Sequence, residues 1–321
     1  MLAPCAAAGY SGEVEESQTS ICRVELPTHN DVDVVRRRFT GTSGPHVAVL
    51  AGIRGDTPEG VRVLYEVTRL LRGLSDLAGT VDIYPCANPL AAYAGVHRWP
   101  FFEVDLNRRF PGRADGHPPD RVAWELVQQV APADVVIELR GADRAFREVL
   151  QAHVREGVPR ALDLATRANV EVVWVRRPGT MEPTTFAAQF ETVMVLEGGA
   201  GNRLSEGVAS ELATGVMNVL ATLQVVPEEA VPVHWATLER PRVVTDDHVL
   251  EFQCDHGGVF LPAVQAGATI AAGDLLGTVV EPLGATEIAR CCAPGAGRVL
   301  ALREQPSVHT GSLLARLLID P

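Results

Sequence analysis

Leu50-Ala51-Gly52-Ile53-Arg54-Gly55-Asp56-Thr57-Pro58-Glu59-Gly60 joins a strand to a helix through two glycines. The apolar run His46 to Leu50 ahead of it reads as a buried strand, and Gly52 and Gly55 break that run. From Pro58 the period changes: Val61, Leu64, Val67, Leu70 and Leu71 recur at three- and four-residue spacing, the mark of an amphipathic helix. Such a junction sets its loop at the carboxyl end of a sheet, where open α/β folds place ligands. Arg54 to Glu59 are therefore expected to face whatever this chain binds.

Outward from this junction the same alternation repeats. The helix from Pro58 ends near Gly73, and Val81 to Cys86 reads as a strand closed by Asn88-Pro89. Residues 90–117 form a long stretch punctuated by glycine and proline, of a kind that is usually functional in a compact domain. Asp120 to Val130 has the pattern of an amphipathic helix, and Asp134 to Leu139 that of a buried strand ending at Arg140-Gly141. Val170 to Val175 and Thr192 to Leu196 are further strands, the second ending at Glu197-Gly198-Gly199. A helix follows to about Leu220, with Ser205 as its N-cap and Glu206 in its first turn. This is an α/β pattern with a largely parallel sheet. Beyond Leu223 the character shifts: Val226 to Pro232 reads as a linker, and from Arg242 short alternating strands and regular glycines indicate a small all-β barrel or sandwich. The expected organisation is an N-terminal arm 1–30, an α/β domain 31–225, a linker 226–240 and a β domain 241–321.

Composition narrows the function classes. At 321 residues the chain exceeds the usual single core, and 46% apolar with 21% charged residues suits a folded globular protein. A net charge of −12 argues against nucleic acid, which needs clustered cations. Arg36-Arg37-Arg38 is too short for a basic patch and reads as a solvated face. No apolar run reaches the ~18 residues of a membrane span. Met1 to Gly9 lacks the basic start of a secretory signal, so a cytoplasmic location is expected. The six cysteines form no CxxC pair or disulfide framework, and Cys254 and Cys291-Cys292 read as structural. Nor do the histidines show metal-site spacing: of His97, His117, His153 ahead of a helix, His234, His248, His256 and His309, most read as solvent-facing or capping residues.

Taken together, the loops resemble the succinylglutamate desuccinylase/aspartoacylase family, with its zinc-carboxypeptidase-like fold. Asn88-Pro89, then Arg98, then Asp105-Leu106-Asn107-Arg108-Arg109-Phe110-Pro111-Gly112 carry the most specific part of the likeness, and Glu197-Gly198 follows in order. The resemblance spans roughly residues 40–321 and implies a mostly parallel mixed sheet flanked by helices, followed by a small barrel-like β domain over the mouth of the site. It also implies that Glu197 is the general base, that Arg98 stabilises the oxyanion, and that Asn107 and Arg108 grip a substrate carboxylate. Arginine suits that last task because its planar fork binds carboxylates bidentately.

The family holds a catalytic zinc through His and Glu of a Gly-x-His-Gly-x-Glu loop and a second His after a later strand. At these positions this chain has Arg54, Thr57 and Arg140. Guanidinium has no lone pair to offer a metal, and threonine is a poor zinc ligand. Asp56 and Glu59 without imidazole would suit Mg²⁺ or Ca²⁺ better. The expectation is a degenerate member with no cofactor, zinc returning only if that reading fails. Arg54, Arg140, Arg98 and Arg108 would then converge on Glu197 as the single retained acid and bind a small carboxylate or phosphate, or else plug the cavity through ion pairs. The expected function is a non-catalytic, carboxylate-binding or partner subunit, as a homo-oligomer or paired with an active family member. The alternatives are a hydrolase of an N-acyl amino acid or similar amide or ester, or a retooled metal-independent enzyme using Glu197 and the arginines.

Overall fold

The computed structural model describes residues 14–180 and 182–319. Met1 to Gly9 and Cys5, read above, lie outside them. The chain opens with two paired strands, β1 (Glu15–Val24) and β2 (Val32–Thr40). Residues 15–24 of the expected arm form a strand at the edge of the sheet. The arginines of β2 are not a solvated face: Arg38 binds the buried Asp82 carboxylate through two bonds of 2.7 Å, Arg37 pairs with Glu16, and Arg36 donates to Gln129.

The α/β region follows in order as β3 (Thr42–Leu50), α1 (Pro58–Arg72), β4 (Ala78–Tyr84), α2 (Pro89–Ala94), α3 (Pro118–Val130), β5 (Val135–Gly141), β6 (Phe146–Arg155), α4 (Pro159–Ala165), β7 (Val172–Arg176), β8 (Val193–Ala200) and α5 (Glu206–Thr222). β3, β4, β5 and β8 are parallel, and their valine-rich runs are covered on both faces, which is why they read as continuous apolar stretches. One core layer packs α1, α4 and α5 on the sheet; the other packs α3 and the 99–110 loop on the opposite face. Close approach fixes the first loop. A Cβ on Gly55 would lie 2.0 Å from the Ala91 carbonyl carbon of α2. Asn88 caps α2 by accepting from the Ala91 N–H and donates to the Ile53 carbonyl, so Asn88-Pro89 ties that loop to the helix.

The C-terminal strands are β9 (Arg242–Thr245), β10 (Val249–Gln253), β11 (Gly258–Pro262), β12 (Thr269–Ile270), β13 (Leu275–Glu281), β14 (Thr286–Cys292), β15 (Gly297–Arg303), β16 (Ser307–Val308) and β17 (Leu313–Ile319). β11, β13, β14 and β16 make a separate antiparallel sheet, and Cys254 and Cys291 are buried free thiols in the core beside it. The others extend the main sheet, which forks at β6. The first half of β6 pairs with β15, and its second half pairs with β7, which in turn pairs with β9. The main sheet therefore runs β1-β2-β4-β3-β5-β8-β6-β15-β17-β10, giving a mixed α/β fold with a second, antiparallel sheet. Among the described residues no helix is long and apolar enough to cross a membrane.

Candidate functional site

A cavity of about 420 Å³ opens in the fork of the sheet, lined from both branches. Its floor is one face of the sheet, because side chains alternate along each strand and neighbours in register share a face. Arg140 of β5 stands opposite Glu197 of β8, and Glu197 stands opposite Gln151 of β6. His153 is next to Trp174 of β7 in the same way. Glu197 does not end its strand, as the sequence suggested: β8 runs on through Gly198-Gly199-Ala200. The far wall is C-terminal, with Asp246 in the turn before β10, Val249 and Glu251 in β10, and Arg316 in β17.

Glu197 is held tightly. His153 Nε2 lies 2.8 Å from its Oε1, and Gln151 Nε2 donates to the same oxygen at 3.3 Å. Burial opposes the charge, but the His153 ring, then Arg140 and Arg316, outweigh it and hold the Glu197 carboxyl well below the usual carboxylate range. His153 stacks on Trp174 at 5.2 Å, and the Arg176 guanidinium lies 4.5 Å from the same indole ring. Arg176 is itself 2.9 Å from Asp246.

Of the four arginines expected around Glu197, the structure sets Arg140 beside it and spreads the others. Arg140 donates through Nε and Nη2 to both oxygens of Glu138, which is 1% exposed. Arg54 pairs with Asp56 at 3.2 Å and approaches Asp143 at 3.8 Å, outside the cavity lining. Arg98 is exposed in a separate depression, where its Nη1 donates to the Glu103 carbonyl of the turn bridging Trp99 and Val104. Arg108 reaches Glu182 on the cavity rim at 2.8 Å. Asn107 accepts from the Phe186 N–H, so its side chain fixes the rim loop. The Asp105 carboxylate starts that turn, accepting from Asn107 N–H and lying 3.1 Å from His97.

Two readings from sequence are corrected here. Glu197 is not the single acid, since Glu182, Asp246 and Glu251 also line the cavity and Glu138 and Glu148 lie just behind it. His153 is not a solvent-facing residue ahead of a helix but a cavity residue inside β6. Gln151, His153, Trp174, Arg176 and Arg316 were not singled out for the site. A period-two signal was present in Glu138-x-Arg140, Gln151-x-His153 and Trp174-x-Arg176, polar or amphipathic side chains alternating with buried apolar ones.

Glu59 stands apart on the other side of the sheet end. It is fully buried, among the described residues neither carboxylate oxygen has a hydrogen bond of normal geometry, and a Cβ on Gly141 would lie 2.8 Å from its Oε2. Burial pushes its pKa from 4.5 up to about 7, against the pull of the Glu59 and Ser205 backbone amides. A carboxyl raised by folding contributes stability below its unfolded pKa and loses it as pH rises through the folded value. Glu59→Gln is therefore expected to match the native chain in thermal unfolding near pH 4.5 and to exceed it by about 2–3 kcal/mol at pH 8.5. Parallel stability–pH curves for the two proteins would contradict this.

The sheet order and the loops at its carboxyl end define a carboxypeptidase-like α/β protein with a second, antiparallel sheet. Residues 43–223, more than half of the chain, match the model of the succinylglutamate desuccinylase/aspartoacylase catalytic domain, and the chain belongs to that family. It is 32% identical over 134 residues to the N-alpha-acetyl-L-2,4-diaminobutyric acid deacetylase of Halomonas elongata, a match spanning 38% of each chain. A succinylglutamate desuccinylase/aspartoacylase from Rhodobacter sphaeroides superposes with a TM-score of 0.81 at 19% identity, covering 99% of this chain and 98% of that one. The product-bound ectoine utilization protein EutE (DoeB) from Ruegeria pomeroyi gives 0.79 at 19% identity, with 96% of each chain covered. At these identities the two structures speak for the fold.

The family implies a zinc ion, and the residues at its ligand positions do not fit one. Arg54 and Arg140 have no lone pair to donate and are already paired with Asp56 and Glu138. The Thr57 hydroxyl donates to the Arg54 carbonyl at 3.2 Å. Neutral or anionic N, O and S donors are what zinc takes, and this set supplies none of the usual three.

Proposed function

We propose that this chain keeps the family's ligand cavity but uses it without zinc, binding a small carboxylate-bearing molecule of the N-acyl amino acid type rather than hydrolysing it. The observation that carries this reading is Arg140. It puts a fixed positive charge opposite Glu197 on the cavity floor, at a position where the family holds a metal ligand. Without a metal no water is brought near pKa ~7, and the carbonyl loses its Lewis acid. Glu197 is engaged by His153 at 2.8 Å and held charged below the usual carboxylate range, which lowers its basicity as a proton acceptor. Arg140, Arg176 and Arg316, each also in contact with a carboxylate of the protein, line the cavity and give it positive charge toward an anionic group. A role as partner subunit of an active family member, in the cytoplasm, belongs to the same proposal.

The second reading is metal-independent deacylation. The deacetylase relative and the Glu197–His153 contact favour it: Glu197 would take the proton of an attacking water while Arg140 and the His153 ring face the developing oxyanion. Calorimetric titration of chelator-treated protein with N-acetyl-L-aspartate and N-acetyl-L-2,4-diaminobutyrate, with acetate assayed in parallel, separates the two. Saturable binding without acetate release is the expected result. Release that survives chelator and disappears in Glu197→Gln would establish the second reading, and no binding of either compound would contradict the first.

A further inference from the structure

Strand β6 carries a bulge directly against the site. Glu148 stands opposite Gly199 and Gln151 opposite Glu197, so three steps along β6 match two along β8. Residues three apart in a regular strand point to opposite faces; the extra residue brings Glu148 and Gln151 onto the same one. Gln151 Nε2 consequently reaches two carboxyls, 2.9 Å from Glu148 Oε2 and 3.3 Å from Glu197 Oε1. On the other side of Glu148, Arg316 Nη1 lies 3.5 Å from its Oε1, while Arg316 Nε lies 3.3 Å from Glu251 on the cavity wall.

Two buried carboxyls joined by one amide do not both keep a charge easily. Glu197 has His153 to hold its charge. Glu148 is 5% exposed and faces Glu197 from β8 and Asp143 from the β5–β6 turn, with Arg316 of β17 as its counter-charge; β15 sets Ala301 opposite it. Asp143 is in turn approached by Arg54. Burial first, and the Glu197 charge second, push the Glu148 carboxyl up, toward the neutral acid.

We propose that Glu148 and Gln151 are positioning residues of this cavity. As a neutral acid, Glu148 lets the Gln151 amide hold Glu197 toward His153 and leaves Arg316 free to meet a carboxylate ligand. When Glu148 loses its proton, Arg316 turns to it and away from the cavity. The ligand clause rests on the carboxylate-binding reading above; the coupling of Glu148 to Glu197 and His153 does not.

The test is a ring NMR titration of His153 in ligand-free protein labelled at histidine, from pH 6 to 10, with the signal assigned by its loss in His153→Gln. The native chain is expected to show a step above neutral pH that Glu148→Gln lacks, with melting temperatures unchanged. Gln151→Asn, too short to span both carboxyls, is expected to shrink the step and serves if Glu148→Gln fails to fold. No step in the native chain, or the same step in both variants, overturns the proposal. N-acetyl-L-aspartate affinity is then expected to fall by about tenfold per pH unit above that step in the native chain and to stay level in Glu148→Gln. A clear His153 step with no binding at any pH would count against the carboxylate reading and leave the positioning role standing.

Discussion

Replacing Arg140 by alanine is expected to cost about 3–5 kcal/mol of folding stability, read from denaturant unfolding at pH 7. The reason is Glu138. Its carboxylate is buried on the sheet floor, and both its oxygens are met by the Arg140 guanidinium. Removing the guanidinium strands that charge, and it also withdraws a positive neighbour from Glu197. Adding Glu138→Gln to Arg140→Ala is expected to recover most of the loss, since no buried charge is then left uncompensated. A loss below about 1 kcal/mol for the single variant would mean that Arg140 behaves like an ordinary surface ion pair.

The second large effect concerns metal affinity. Arg54→His, Thr57→Glu and Arg140→His together are expected to convert the site into one that takes up about one zinc ion per chain, at least about a thousand-fold tighter than the native protein in a competition titration. The backbone that would present these donors is in place. Gly55 is pressed against α2, Asn88 ties the loop to the same helix, and β5 and β8 are in register at Arg140 and Glu197. Two imidazoles and a carboxylate then supply the lone pairs that two guanidiniums and a hydroxyl do not. If the triple variant folds and still takes up no more zinc than the native chain, the loop has lost more than its donors.

Much of this molecule was legible in its sequence because the parallel strands are buried on both faces. Val47 to Leu50, Val135 to Leu139 and Val193 to Leu196 announce themselves as apolar runs, and α1 and α3 by their period. The loop order from Asn88 through Asp105 and Gly112 to Glu197 fixed the family resemblance that the 43–223 match bears out. The partners of Glu197 were harder to see. His153, Gln151 and Trp174 sit inside strands, and only the pairing of β6 with β8 and β7 brings them to Glu197. The β6 bulge is likewise a property of two strands in register and leaves no mark on either alone. Charge pairing was foreseen in part, since ion pairs that plug the cavity were one of the two outcomes read from the sequence and Arg140 does pair with Glu138. Four arginines suggested a cationic cluster, but ion pairs with Glu138, Asp56 and Glu182 engage three of them, and these depend on distances across the fold.

Three positions decide the proposed zinc-free site: Arg54, Thr57 and Arg140 present guanidinium, hydroxyl and guanidinium in place of imidazole, carboxylate and imidazole. Elemental analysis of the purified native protein, after growth with zinc and without chelator, tests it most directly. The expected result is a zinc content far below one ion per chain and no change in thermal stability on adding chelator. One tightly held zinc per chain, whose removal by chelator lowers the melting temperature, would contradict it.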